Sequence, residues 1–191
     1  MVVGKNIHVN VNKEYLPNSL IFFPSAKIRD QLLKDNPILA DIQFKKHYPH
    51  TLLIIPTLRT PVAFLRIGSR DVLVDKSGIV LADADASSKE LPHIIIPLSA
   101  VRIGETITDS RFVAALAFLA GTRDMVPIQT IIIENDSSLR ARSSTMDILF
   151  PQDGSMSAIL ATLQTVLAGF RIKGTLPTII DLRFNKPIVK F

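Results

Sequence analysis

KKHYPHTLLIIPTLRTPVA, residues 45–63, is the stretch on which the fold turns. Just ahead of and into it, Ile42 and Phe44 alternate with Gln43 and Lys45, the period of a half-buried strand. Tyr48-Pro49-His50 then turns the chain, and the apolar residues 51–58 bring it back as a second strand. Pro56 lacks a backbone donor, so this return strand is expected to be an edge or to carry a bulge at Pro56. Toward the N-terminus, residues 26–34 read as a helix: Ile28, Leu32 and Leu33 recur at helical spacing, and Lys27, Arg29, Asp30 and Lys34 cover the other side. Pro24-Ser25 offers a break and an N-cap for it, and Asn36-Pro37 stops it because proline disfavours helix in the residue before it. Residues 18–23, NSLIFF, make a shorter apolar helical segment. Ile7, Val9 and Val11, alternating with His8, Asn10 and Asn12, read as a first strand. The order is β-α-α-β-β, a small α+β unit whose helices cover one face of a three-stranded sheet.

Pro61 marks the boundary between a module at residues 1–60 and a second at 61–191. Short strands follow at residues 62–67, 72–74, 79–81 and 94–96. Asp75-Lys76-Ser77-Gly78 is a tight hairpin connection with Gly78 suited to positive φ, and residues 82–91 read as a polar loop. Thr108 or Asp109 caps a helix carrying Phe112, Leu116 and Leu119, which Gly121 is expected to close in a left-handed C′ position. Strands at 128–133, 139–142 and 146–150 precede a second helix at 157–170, where Leu160, Leu163, Leu167 and Phe170 repeat every three or four residues. Gly174 leads into terminal strands. The second module is thus mixed, mainly antiparallel β with two helices.

Composition bounds the functional classes. A hydrophobic fraction of 47% with 20% charged residues is the balance of a globular protein with a real core, not of a disordered chain. Lys and Arg exceed Asp and Glu by 22 to 17, a net charge of +5 that suits an anionic membrane surface, a nucleic acid or an acidic partner. The charges are scattered, with no basic run interleaved with aromatics, which argues against nucleic-acid binding. The longest helix-like apolar stretch, residues 112–120, is far too short to cross a bilayer, which takes about 20 residues. With no cysteine, disulfides, thiolate metal sites and a cysteine nucleophile are excluded.

No constellation asks for an enzyme. His47 and His50 share a turn but lack a third ligand, while His8 and His93 stand apart. Asp83 and Asp85 form a D-x-D pattern without the rest of a calcium loop. Gly4-Lys5 is not a phosphate loop, Gly154-Ser155-Met156 is not a nucleophile elbow, and HExxH is absent. No metal, organic cofactor or small-molecule substrate is expected, and Asp181-Leu182-Arg183 reads equally as a buried ion pair or as a recognition feature.

Several pieces in order resemble one family. Asn36-Pro37-Ile38 and Tyr48-Pro49-His50-Thr51-Leu52 followed by Ile54, then Val74-Asp75, Gly78 and Val80-Leu81, then Ile180-Asp181-Leu182-Arg183-Phe184, are similar to the motifs of the extracytoplasmic region of the bacterial cell-division proteins FtsQ/DivIB. Pro56 and Leu58 depart from that pattern, where a β-branched residue and a Glu are usual. The resemblance implies a POTRA module over residues 1–60 and an FtsQ/DivIB-type β module over 61–191. It implies a non-catalytic scaffold that binds FtsB/FtsL-type partners outside the cytoplasmic membrane to support septum formation, held by a single transmembrane anchor. That anchor would lie upstream of Met1, so Met1 is not expected to be the biological start. A POTRA-containing chaperone or secretion module that captures extended polypeptides is the alternative.

Both readings use strand addition at an open sheet edge. The terminal segment 181–191 is the expected edge, with Asp181, Leu182, Arg183, Phe184, Ile188 and Val189 as partner-binding residues. Phe184 would serve as an apolar anchor and Arg183 as a charged contact or as a brace for the strand. Pro187 is expected to interrupt the ladder and leave Ile188-Val189 in a separate register.

Overall fold

The computed structural model describes residues 20–49, 51–84, 91–98 and 100–191, and the chain divides between Thr60 and Pro61 into two compact units. The fold is α+β. In the first unit, helix α1 (Ser25–Asp35) precedes strands β1 (Leu39–His47) and β2 (Thr51–Leu58). Ile28 and Leu32, one turn apart on α1, pack with Phe23, Leu39 and Ile42 into a small core to which Phe44, Leu52 and Ile54 add. The strand expected at residues 7–11 lies outside the described residues, as do Asn18 and Ser19. Leu20 to Phe22 form a bend and turn, not helix; so short a run ahead of Pro24 cannot propagate one.

One local expectation shifts, and of the two alternatives at Pro56 the bulge does not form. Ser25 is the first residue of α1, and Pro24 (φ −82°, ψ 72°) occupies the cap position without a side-chain hydrogen bond. The ring of Pro24 already sets a φ suited to the helix entrance, and the Ile28 amide donates to its carbonyl at 3.1 Å. Pro56 stays in register opposite Ile42, and the register shift in the hairpin falls between Leu39 and Asp41. Among the described residues β2 pairs on one side only, so a missing donor at Pro56 leaves the ladder intact.

The second unit holds β3 (Pro61–Ile67), β4 (Arg70–Asp75), β5 (Val80–Asp83), β6 (His93–Ile95), α2 (Ser110–Thr122), β7 (Ile128–Asn135), β8 (Ser138–Ser143), β9 (Asp147–Pro151), α3 (Met156–Lys173), β10 (Ile179–Asp181) and β11 (Ile188–Lys190). Its strands form a mixed sheet in the order β11-β10-β9-β8-β7-β6-β3-β4-β5, parallel at β9/β10, β6/β7 and β3/β6 and antiparallel elsewhere. Alternate residues of neighbouring strands, Leu65, Ile94, Ile131, Ala141, Ile148 and Ile180, are fully buried and form one core with Phe112, Phe118, Leu163 and Leu167 of the two helices. The strand period of two and the helix period of 3.6 therefore converge on one layer.

The 75–79 turn forms as its residues dictate. Asp75 is buried, its Oδ1 accepts from the amides of Ser77 and Ile79 at 2.9 Å each, and Gly78 sits at φ 78°. Asp109 caps α2, accepting from the amides of Arg111 at 2.9 Å and Phe112 at 3.4 Å. Strand β5 runs on into the sequence read as loop, through Asp83, which is ion-paired with Arg70. Gly121 is not a C-cap. It lies inside α2, and a Cβ built there would stand 2.1 Å and 2.8 Å from the two Leu160 methyl carbons of α3. The missing side chain lets the helices approach, a tertiary demand that outweighs helix propensity. Gly174 ends α3 at φ 73°.

Candidate partner-binding edge

The terminal residues 175–191 do not make one strand. β10 is interior because it pairs in parallel with β9 on one side and antiparallel with β11 on the other, and its Ile180 is fully buried. Asp181 is therefore the last residue of an inner strand, and the expectation of a free edge along 181–191 is corrected to β11 alone. The cause is the crossover through α3, which returns the chain beside β9, not beyond it.

After Asp181 the chain leaves the sheet through a clamp. Asp181 Oδ1 accepts from the Arg183 amide at 3.1 Å and from its Nε at 2.9 Å, and Oδ2 accepts from Nη2 at 2.6 Å. The Leu182 amide donates to the Leu149 carbonyl at 2.8 Å, and its side chain is buried. Of the two roles open to Arg183, the geometry gives it the bracing one. Residues 183–186 are bends, and Pro187 separates them from β11. Ile188-Val189 thus sits in its own short strand.

Of the six sequence-derived residues, Asp181, Leu182 and Arg183 hold the fold. Val189, opposite Ile180, packs against the core. Phe184 and Ile188 remain outward, 57% and 49% exposed, with the Arg183 guanidinium 5.6 Å from the Phe184 ring centroid. On its outer side β11 is paired with no strand among the described residues. Its backbone groups and two apolar side chains therefore lie along one border of the sheet.

A charged network missed in the sequence supports this border. Arg140 of β8 donates from Nε and Nη2 to both oxygens of Glu134 (2.6 and 2.7 Å) and from Nη1 to Asp147 of β9 (2.7 Å). Arg140 lies opposite Leu149, which lies opposite Asp181, so both guanidinium clamps share the sheet face away from the helices. The only local signal is an Arg alternating with buried Leu139 and Ala141; its two acidic partners come from other strands.

Guanidinium hydrogen bonds hold the carboxyls of Asp181, Glu134, Asp109 and Asp71 below the usual carboxylate range, while the guanidinium of Arg140 is raised by Glu134 and Asp147. A carboxyl whose folded pKa is depressed contributes stability that is present above its unfolded pKa, about 4, and is lost as pH falls through the folded value. Thermal unfolding is therefore expected to be flat near neutrality and to weaken below about pH 4. Asp181→Asn should lower the midpoint near neutral pH and shrink the difference between neutral and acid. An unchanged acid slope in that variant would contradict the clamp.

The other candidate residues fall only partly within the described residues. His47 is exposed in the first unit, His93 stacks on Phe64 at 4.8 Å, and His8, His50 and Asp85 lie outside the described residues. Among the described residues no group of three His, Asp or Glu is arranged to hold a metal, and no helix is long and apolar enough to cross a membrane. A cleft of about 200 Å³ beside the 75–79 turn, lined by Gly78, Ile107, Phe112, Val113 and Leu116 among others, offers neither histidine nor carboxylate.

No curated protein matches the chain. The family model described as cell division protein FtsQ/DivIB, C-terminal, matches residues 63–183, from β3 to the Asp181–Arg183 clamp. With well over half of the sequence matched, this chain belongs to the FtsQ/DivIB family of cell-division proteins.

Proposed function

We propose that this division protein is a non-catalytic scaffold that receives an extended segment of an FtsB/FtsL-type partner on the outer border of β11, on the extracytoplasmic side of the cytoplasmic membrane. Residues 1–60 act as its POTRA-like module and 61–191 as its docking module. The observation that carries the reading is the one-sided pairing of β11, with Phe184 and Ile188 exposed beside it. A partner strand added there would extend the sheet by backbone hydrogen bonds, and the side chains at its border would select the partner. Pro187 limits the ladder to the three residues 188–190, so side-chain contacts must supply much of the affinity.

Amide hydrogen exchange tests this directly. Adding the extracytoplasmic segment of an FtsB/FtsL-type partner should slow exchange at residues 188–190 and leave β5, at the other border of the sheet, unchanged. Protection at β5 with none at β11 would contradict the docking site.

A further inference from the structure

We infer that one end of the first unit is a contact for an anionic lipid surface. Ile21 and Phe22, in the turn ahead of α1, are 69% and 82% exposed, and Tyr48 is 65% exposed. These side chains share one end of the unit. Phe23, the neighbour of Phe22, meets the Phe44 ring edge-on at 5.0 Å and lies 5.7 Å beneath Lys46 Nζ. The bend at residues 20–22 therefore sits beside the end of β1 that runs through Lys45 and Lys46 to Tyr48.

Among the described residues, charge at this end has one sign. Residues 20–29 and 42–49, which supply it, contain no Asp or Glu, and they bring Lys27, Lys45 and Lys46 to it, whereas Arg59 lies at the other end of the hairpin beside Ile38 and Leu39. The first carboxylate before this stretch of β1, Asp41, is occupied by Arg29 at 2.8 Å. Across residues 1–60, eight Lys and Arg stand against four Asp and Glu, so this unit holds most of the net positive charge of the chain.

Protruding Phe, Ile and Tyr with flanking lysines, and with no carboxylate among the described residues of this end, match the headgroup boundary of an anionic bilayer. Apolar side chains enter the acyl margin there, a tyrosine lies at the interface and lysines remain with the phosphates. A protein partner would more commonly be met by a packed, concave hot spot, and a turn presenting a largely exposed phenyl ring is the reverse shape.

The chain lacks Trp, so Phe22→Trp introduces a single reporter. With the full chain, its emission should shift to the blue with phosphatidylglycerol-containing vesicles and stay unchanged with phosphatidylcholine alone. In co-sedimentation, Phe22→Ser should abolish binding. Lys45→Glu with Lys46→Glu should weaken it about tenfold or more, in a salt-dependent manner. Circular dichroism of each variant checks that the unit is folded. Absence of any shift in folded protein, equal binding to neutral vesicles, wild-type binding by Phe22→Ser, or a shift produced only by an added protein would each overturn the inference. No partner strand is present in these assays, so their failure leaves the β11 proposal standing, and the converse also holds.

Discussion

Phe118→Ala is expected to destabilise the second unit by about 3–5 kcal/mol, the usual cost of deleting a buried phenyl ring. Phe118 is fully buried on the sheet-facing side of α2, and its ring stacks on Phe150 of β9 with centroids 3.9 Å apart and planes 5° from parallel. The two rings tie helix layer to sheet at the centre of the core, so removing one leaves a cavity that the rigid strand beneath cannot close. Against a typical stability of about 5–15 kcal/mol this is a large fraction. Urea denaturation should show a lower midpoint, and the melting temperature should fall by roughly 10 °C or more. Val113→Ala, on the same helix but 50% exposed, should change stability by no more than about 1 kcal/mol. If the two variants unfold alike, the central position of Phe118 is wrong.

Gly121 supplies the second large effect, and its sign is the informative part. In a solvent-exposed helix, Gly→Ala would stabilise by about 1 kcal/mol. Here the added Cβ would stand 2.1 Å, 2.8 Å and 3.0 Å from Cδ1, Cδ2 and Cγ of Leu160, so the whole isobutyl group is in the way. Gly121→Ala is expected to destabilise by about 1–3 kcal/mol, the cost of overpacking, and Gly121→Val by more. Leu160→Ala should relieve the clash, so that the double variant is more stable than the sum of the single effects requires. A stabilising Gly121→Ala would contradict the close approach of α2 and α3.

These cases show which parts of the fold are legible locally. The 75–79 turn is set by Asp75 and Gly78 within five residues, and the α2 cap by Asp109 within three, so short-range chemistry specifies both. The helices themselves follow from apolar repeats. Gly121 reads as a C-cap in the sequence because a helix-terminating glycine and a helix-crossing glycine look alike until the facing residue, Leu160, is known. Similarly, β10 carries the alternation of an edge strand, with Ile179 and Asp181 outward, and only its parallel pairing with β9 across the whole of α3 makes it interior. The Arg140 network was hidden for the same reason, since Glu134 and Asp147 approach it from two other strands.

The candidate site was legible as a segment but not as a surface. Residues 181–191 contain the border, yet Asp181, Leu182 and Arg183 are used internally, and the outward residues are 184–188 with Lys190 and Phe191. Proline at 187 gave the separate register of Ile188-Val189, because a residue without an amide hydrogen cannot extend a ladder.

Titration of an FtsB/FtsL-type partner ectodomain against wild type, Phe184→Ala and Ile188→Ala, with equal thermal stability verified first, tests the scaffold claim most directly. Each substitution should weaken binding by more than about 1 kcal/mol, roughly fivefold or more in Kd, as expected for exposed apolar anchors at a contact. Equal affinity for all three proteins, or no binding of this partner class at all, would contradict it.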